Sequence, residues 1–240
     1  MNVVIDIGNT VAKIALFREN TFISKTVIDQ LEVIEYIKNL VFDRGIISNV
    51  GKKNLEKKLL AFYPNLVSLN TQFKFPINFA YETMNSLGLD RIANAVGAYV
   101  ETADKNSLII DIGSCLTFDF IDSNNCYHGG AISPGLNMRF KALNNFTENL
   151  PLLNLNSSKL KLIGSATNSS IVSGVVNGTI AEIKYNIYSY REKFNNLNVF
   201  ITGGDSDFII PIAEFEKNTI FAVENLTLIG LNAILDYNDK

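Results

Sequence analysis

The sequence predicts an α/β protein, and two observations carry that prediction. Apolar segments of strand length alternate with amphipathic segments of helical spacing along the whole chain. A strand–turn–strand pattern also occurs twice, as VVIDIGNTVAKIALF at residues 3–17 and as SLIIDIGSCLTFDFID at residues 107–122. Because an internal repeat indicates duplicated units, we expect two similar α/β domains, residues 1–105 and 106–240, that face each other across a cleft.

The first half contains further segments that fit this class after its strand–turn–strand pattern. GIISNV at residues 45–50 and NLVSLN at residues 65–70 predict short buried strands, and NLEKKLLAFY between them has its leucines at helical spacing. A longer helix is predicted from about Asp90. Its apolar face consists of Ile92, Ala95, Val96, Tyr99 and Val100.

The second half continues with the same alternation. Leu136, Phe140, Leu143 and Phe146 recur at helical spacing. The longest amphipathic pattern in the chain lies between Ser169 and Tyr190. NVFITGGD at residues 198–205 predicts a strand that enters a glycine turn, and NLTLIGLNAIL at residues 225–235 predicts a final helix.

The composition is that of an ordinary globular protein. Of the 240 residues, 47% are hydrophobic and 19% are charged, and the formal net charge is −3. A protein of this charge without a Lys/Arg block lacks the basic surface that binds nucleic acid. No segment approaches the roughly 18 uninterrupted apolar residues of a membrane span. The N-terminus has no basic, signal-like segment. We therefore expect a cytoplasmic protein with neither nucleic acid nor a membrane as partner.

Cysteine and histidine are scarce. Cys115, Cys126 and the single histidine, His128, are too few for a disulfide framework or a Cys/His zinc site. Catalysis by a Ser-His-Asp or Cys-His arrangement is poorly supported for the same reason. We expect Cys115 to pack in the core as a small apolar residue, and Cys126 and His128 to be structural.

The repeated turn has residue types that suit phosphate binding. Gly8 lets backbone amides approach a ligand, and the hydroxyl of Thr10 and the charge of Lys13 would complete a cradle for phosphate oxygens. Asp6 would repel a phosphate, so its expected ligand is a hydrated Mg²⁺ ion. A single copy of this pattern would favour a simple hairpin turn, but two copies at matching places favour the functional interpretation. TGGD at 202–205 and HGGAISPG at 128–135 add two more glycine turns.

Several motifs together resemble one family. DIGNTVAK (6–13), GLDR (88–91), DIGSCLTFD (111–119), GGAISPG (129–135) and TGG (202–204) occur in the order and spacing of type III pantothenate kinases. These belong to the actin, sugar kinase and Hsp70 ATPase superfamily, and the resemblance covers essentially the whole chain. It implies two ribonuclease H-like (actin-like ATPase) domains. It also implies ATP-dependent phosphorylation of pantothenate to 4′-phosphopantothenate, the first step of coenzyme A biosynthesis.

The resemblance also implies roles for individual residues. ATP would be bound by Asp6, Ile7, Gly8, Asn9, Thr10, Val11, Ala12, Lys13 and Ser114. Pantothenate would be bound by Tyr81, Gly88, Leu89, Asp90, Arg91 and Thr167. Asp90 would be the general base, and Asp111 would help to hold a monovalent cation, K⁺ or NH₄⁺, in addition to Mg²⁺. The family further implies a homodimer in which the partner's Thr167 completes each pantothenate site.

The chain departs from the family pattern at two positions, and several alternatives stay open. Ser114 stands where the family usually has Thr, and Cys115 where it usually has Ala. From the residues alone, the favoured interpretation makes Asp90 the N-cap of its helix and places Arg91 at the surface; the resemblance reverses that preference. Thr167 suits the N-cap of the long helix, and one threonine could fill both roles.

Two alternative functions also remain. One is a kinase for another small-molecule hydroxyl, and the other is a non-catalytic regulator that senses nucleotide. The presence of Asp90 beside Arg91 counts against the regulator, because a protein without turnover needs no base.

Overall fold

The structure, a computed structural model, describes residues 1–8, 11–49, 51, 53–154, 160–213, 215 and 220–239. The chain forms two compact units. Unit 1 consists of Met1–Asp104, Asn125–Tyr127 and Asn225–Lys240, and unit 2 of Lys105–Asn124 and His128–Glu224. Each unit contains both helices and β-strands, as the predicted α/β class requires.

Unit 1 is built on a five-stranded sheet with the strand order β3-β2-β1-β4-β5. The strands are β1 (Asn2–Ile7), β2 (Val11–Arg18), β3 (Thr21–Asp29), β4 (Arg44–Asn49) and β5 (Leu66–Ser68). The helices of this unit are α1 (Val33–Lys38), α2 (Lys53–Phe62), α3 (Leu89–Thr102) and α7 (Leu226–Tyr237). A short strand, β6 (Asn78–Phe79), pairs in parallel with Cys126 and Tyr127, and a 3₁₀ turn (Met84–Ser86) precedes α3.

Helices α3 and α7 approach each other at backbone distance. A Cβ atom at Gly230 would overlap the carbonyl oxygen of Ala93, and a Cβ atom at Gly97 would overlap that of Leu226. Only glycine, which has no Cβ atom, allows the two helices to approach this closely at both positions. The final helix therefore belongs to unit 1, so the compact units differ from the linear segments 1–105 and 106–240, although a boundary does lie at residues 104 and 105.

The second sheet has six strands in the order β11-β10-β7-β8-β9-β6. Besides β6, they are β7 (Ser107–Ile112), β8 (Cys115–Ile121), β9 (Cys126–Pro134), β10 (Asn198–Thr202) and β11 (Ile220–Ala222). The helices of unit 2 are α4 (Leu136–Asn145), α5 (Thr167–Lys193) and α6 (Ser206–Ala213).

The strand pairing confirms the repeat seen in the sequence. In unit 1, β1 pairs antiparallel with β2 and parallel with β4. In unit 2, β7 pairs antiparallel with β8 and parallel with β10. Both first strands are apolar and nearly fully buried, because they lie inside their sheets.

Helix α5, with 27 residues, has two different faces. One face is buried in the core of unit 2 and presents Ile171, Val175, Val176, Ile180, Ile183 and Ile187. Elsewhere on the helix, Gly174 and Gly178 have open space where a Cβ would lie, and the side chains of Tyr185 and Tyr188 are 70% and 63% exposed. Within the described part of the chain, no helix combines the length and apolarity that a bilayer crossing requires.

Candidate functional site

The turn after β1 is closed by its own backbone. The amide of Gly8 donates a hydrogen bond of 3.0 Å to the carbonyl of Val11. Ile7 and Ala12 pair across the strands, and both side chains are fully buried. A nucleotide at this turn would therefore meet the backbone of these two residues and not their side chains. Asn9 and Thr10, which were predicted to bind phosphate, lie outside the described residues.

A polar row crosses the sheet beside this turn. Asp6 of β1 lies in register with Lys13 of β2 on one side and with Ser48 of β4 on the other. Register partners in neighbouring strands project to the same face of a sheet. Asp6 is half-buried. Ser48 is fully buried, and its hydroxyl has no hydrogen-bond partner among the residues that the structure describes.

The GLDR segment forms the start of α3. Gly88, and not Asp90, occupies the N-cap position, so the interpretation of Asp90 as the helix cap is wrong. Asp90 lies in the first turn, half-buried, and its Oδ1 atom accepts the amide of Arg91 at 2.8 Å. A Cβ atom at Gly88 would lie 2.5 Å from the same Oδ1 atom. The absence of a side chain at Gly88 thus makes room for the Asp90 carboxylate.

Arg91 is buried, with only 6% of its surface exposed, so the surface interpretation of this residue is wrong. Arg91 begins a continuous buried stretch of α3, residues 91–98. Its guanidinium keeps its charge at any physiological pH. Tyr81 is half-buried, and its ring centroid lies 5.9 Å from that of the fully buried Tyr127.

The second turn resembles the first. The amide of Gly113 donates to the carbonyl of Cys115 at 3.0 Å, and Ser114 is exposed at the tip of the turn. The prediction that Cys115 packs in the core is wrong, because its side chain is exposed. Leu116, the next residue, is fully buried. Successive residues of a strand face opposite sides, so the burial of Leu116 leaves Cys115 on the outer side.

Two glycine segments that lie far apart in the sequence meet at this turn. Gly203 has φ +101°, and a Cβ atom there would overlap Oδ1 of Asp111 and the carbonyl of Ile112. A Cβ atom at Gly135, the residue before α4, would lie 2.5 Å from the carbonyl oxygen of Ser114. The TGGD and GGAISPG segments are therefore part of one arrangement around the second turn.

Asp205, which is not among the predicted site residues, belongs to the same arrangement. Its amide donates to the carbonyl of Ile112 at 2.8 Å. The carboxyl is half-buried, and burial raises its pKa because the charged form loses solvation. The signal available in the sequence is its place directly after the two glycines of TGGD.

Thr167 is exposed and is the first residue of α5. Ala166 occupies the N-cap position, so the interpretation of Thr167 as the cap is wrong. The hydroxyl of Ser169 accepts the amides of Ser165 and Ala166, each at 3.0 Å. Thr167 lines an open groove of about 970 Å³ whose other walls include Arg139 of α4.

His128 has a partner within unit 2. Its Nε2 atom lies 2.7 Å from Oδ2 of Asp122. The pair lies near Ile121, the last residue of β8, whereas Ser114 precedes the first residue of that strand. The second turn and this pair are therefore at opposite ends of β8.

Solved structures with a similar fold include sugar kinases and proteins described as transcriptional activators or regulators. A Campylobacter jejuni protein described as a conserved putative Baf family transcriptional activator superposes with a TM-score of 0.62. The two chains are 22% identical, and the match covers 99% of this chain and 98% of that one. A ROK family glucokinase from Streptomyces griseus, solved with glucose and AMPPNP, superposes with a TM-score of 0.54 at 12% identity, over 99% of both chains. At these identities the likeness concerns the fold, which is the two-domain fold of actin-like sugar kinases.

Sequence comparison is more specific. The model of the type III pantothenate kinase family matches residues 2–188. A type III pantothenate kinase from Christiangramia forsetii is 43% identical over 246 aligned positions, which cover 99% of each chain. A second, from Flavobacterium psychrophilum, is 40% identical over 99% of each chain. This chain therefore belongs to the type III pantothenate kinase family.

Proposed function

We propose that this protein transfers the γ-phosphoryl group of ATP to the primary hydroxyl of pantothenate, forming 4′-phosphopantothenate and ADP. This reaction is the first step of coenzyme A biosynthesis. The observation that carries the proposal is the carboxylate of Asp90, held in one orientation over Gly88 in a chain of this kinase family. The cytoplasm is the proposed location, because the reaction uses cytoplasmic ATP for coenzyme A synthesis.

Asp90 is the proposed general base. The attacking hydroxyl must lose a proton as its oxygen bonds to phosphorus, and a carboxylate within hydrogen-bond reach accepts it. Oδ1 is engaged by the amide of Arg91, so we assign Oδ2 as the proton acceptor. Arg91 supplies a permanent positive charge for an anionic group of substrate or phosphate. Tyr81, Gly88, Leu89 and Thr167 are the further proposed pantothenate contacts.

The first turn is the proposed phosphate cradle. Residues 6–13, together with Ser114, would bind ATP, and Lys13 lies in register beside Asp6 at the edge of this turn. A fixed cation and oriented amides stabilise the charge that develops on the transferring phosphoryl group. The transfer is expected to proceed in line.

A divalent metal ion, proposed to be Mg²⁺, fits the polar row of unit 1. Mg²⁺ prefers a carboxylate, phosphate oxygens and water molecules as ligands. Asp6 offers the carboxylate, and the buried Ser48 hydroxyl beside it could hydrogen-bond a metal-bound water. When bound, the ion would neutralise phosphate charge.

A monovalent cation, K⁺ or NH₄⁺, is proposed at Asp111. The Asp111 carboxylate and the Ile112 carbonyl converge where Gly203 has no side chain. Oxygen ligands of this kind suit a hard cation. A cation there would offset the negative charge of the nucleotide.

We further propose a homodimer that uses the outer face of α5. The open space at Gly174 and Gly178 allows another backbone to approach closely. Thr167 lies exposed at the start of the same helix. In this arrangement, the partner's Thr167 would contact the pantothenate bound by Asp90.

Replacing Asp90 with Asn tests the proposed function directly. We expect ADP release by the wild type to depend on pantothenate, and Asp90→Asn to lower turnover by roughly 10²-fold or more while ATP binding persists, because the base is lost. Glu101→Gln, at an exposed carboxylate on the same helix, is the matched control. ADP release with another acceptor, and none with pantothenate, would identify a kinase of different specificity. Nucleotide binding without turnover on any acceptor would identify a regulator.

Gly88→Ala should disturb catalysis without unfolding the protein. The new methyl group would push the Asp90 carboxylate from its position, and we expect kcat to fall roughly 10- to 100-fold because the base is displaced. The thermal unfolding midpoint should stay near that of the wild type, since the clash is with the end of a short side chain. In an Asp90→Ala background the same substitution should lower kcat no further. A further loss there would show that Gly88 does not act through Asp90.

The cation site predicts a specific salt response. We expect little activity in a buffer whose only monovalent cation is Na⁺, and recovery when K⁺ is added. Asp111→Ala should abolish the recovery, because the carboxylate that holds the ion is gone. The measurement is turnover as a function of each salt at constant ionic strength. Equal rates in Na⁺ and K⁺ would exclude the site.

The shared active site predicts complementation between two inactive chains. Asp90→Asn and Thr167→Ala chains are mixed after each has proved poorly active alone and subunit exchange has been verified. If Thr167 acts across the interface, one of the two sites in the mixed dimer contains both intact residues, and activity returns. If mixed dimers form and no activity returns, Thr167 serves its own chain.

A further inference from the structure

Two segments of unit 1 converge on the carbonyl oxygen of Gly8. Gln30, which follows β3, donates its Nε2 hydrogen to this oxygen at 2.6 Å. Gly51, which follows β4, lies so close that a Cβ atom there would be 2.6 Å from the same oxygen. Because β1, β3 and β4 all run in the same direction, their carboxyl ends meet at one edge of the sheet.

A second set of hydrogen bonds holds Gly51 in this position. The Gly51 amide donates to Oδ1 of Asn49 at 2.8 Å. The Asn49 amide group donates to Oε2 of Glu56 at 2.7 Å. The other carboxylate oxygen of Glu56 accepts the hydroxyl of Ser68. A carboxylate on α2, anchored to β5, thus orients Gly51, which packs on Gly8.

These contacts restrain both backbone groups of Gly8. Its amide is already bonded to the carbonyl of Val11, and its carbonyl is held by Gln30. Each of these two groups belongs to a planar peptide unit, so holding both of them restrains the backbone of Gly8. In a phosphate-binding turn, a restrained backbone keeps its polar groups oriented for phosphate oxygens.

We propose that Gln30 and the network of Asn49, Glu56 and Ser68 are positioning residues for nucleotide binding. Gln30 holds the carbonyl of Gly8 directly, and the network holds Gly51 against it. Neither Gln30 nor Glu56 needs to touch the nucleotide. This inference rests on the proposed function, in which residues 6–13 bind the phosphates of ATP.

The test compares three variants by isothermal titration calorimetry with the non-hydrolysable ATP analogue AMPPNP. Gln30→Ala removes the donor, and Gln30→Met removes it while nearly preserving side-chain volume. We expect both to weaken AMPPNP binding about tenfold, the effect of losing one hydrogen bond that orients the site. Gln72→Ala, at the exposed second glutamine of the chain, is the matched control and should bind as the wild type does.

The network has its own variant and control. Glu56→Ala should weaken AMPPNP binding by roughly three- to tenfold, whereas Glu35→Ala, at an exposed carboxylate of α1, should have no effect. In steady-state kinetics, the variants at positions 30 and 56 should raise KM for ATP and leave KM for pantothenate within about twofold. A purely structural role would instead lower the unfolding midpoint without this selectivity.

Binding of AMPPNP does not require the acceptor, so the two proposals fail separately. Absence of pantothenate-dependent turnover, with weaker AMPPNP binding in the Gln30 variants, overturns the proposed substrate and supports the positioning role. Wild-type AMPPNP affinity in Gln30→Met overturns the role of its donor, whatever the substrate is. A wild-type protein that binds no AMPPNP overturns both proposals.

Discussion

The backbone contact between α3 and α7 is the constraint on which the rest of unit 1 depends. Gly97 and Gly230 have no side chain, so at each of them a carbonyl oxygen of the facing helix occupies the space that a Cβ atom would take. At the side of this contact, the hydroxyl of Thr227 donates to Asn94 at 2.6 Å. The contact fixes α3, and the start of α3 carries Asp90 and Arg91. Any larger side chain at either glycine would have to move the helix that holds the proposed base.

The same steric rule operates at the candidate sites themselves. Gly88 makes room for the Asp90 carboxylate, Gly51 for the carbonyl of Gly8, and Gly203 for the carboxylate of Asp111. In each case a polar oxygen occupies the volume that a Cβ would take. Gly88 has an ordinary φ of −59°, whereas Gly203 also needs the left-handed conformation. Close approach, more than backbone freedom, therefore explains most of these glycines.

Three structural elements that the sequence patterns missed were each hidden by a different physical feature. Strand β3 is largely exposed along its length, so it lacks the alternation of apolar and polar residues that predicts a strand. Helix α6 is apolar almost throughout and contains Pro211, which hides its helical period. Helix α1 has only six residues. By contrast, α3 and α5 are long and periodic, and the sequence predicted both within a few residues of their ends.

By itself, the sequence determined the α/β class, the duplicated turn, the position of Asp90 near the start of a helix and the family. These features depend on local periodicity and on short motifs, which are readable without knowing what lies nearby. Only the tertiary structure decided that α7 joins unit 1, that Arg91 is buried, that Cys115 is exposed and that Gly203 meets Asp111. Each of these outcomes depends on which surface packs against a residue, and packing joins segments that are distant in the chain.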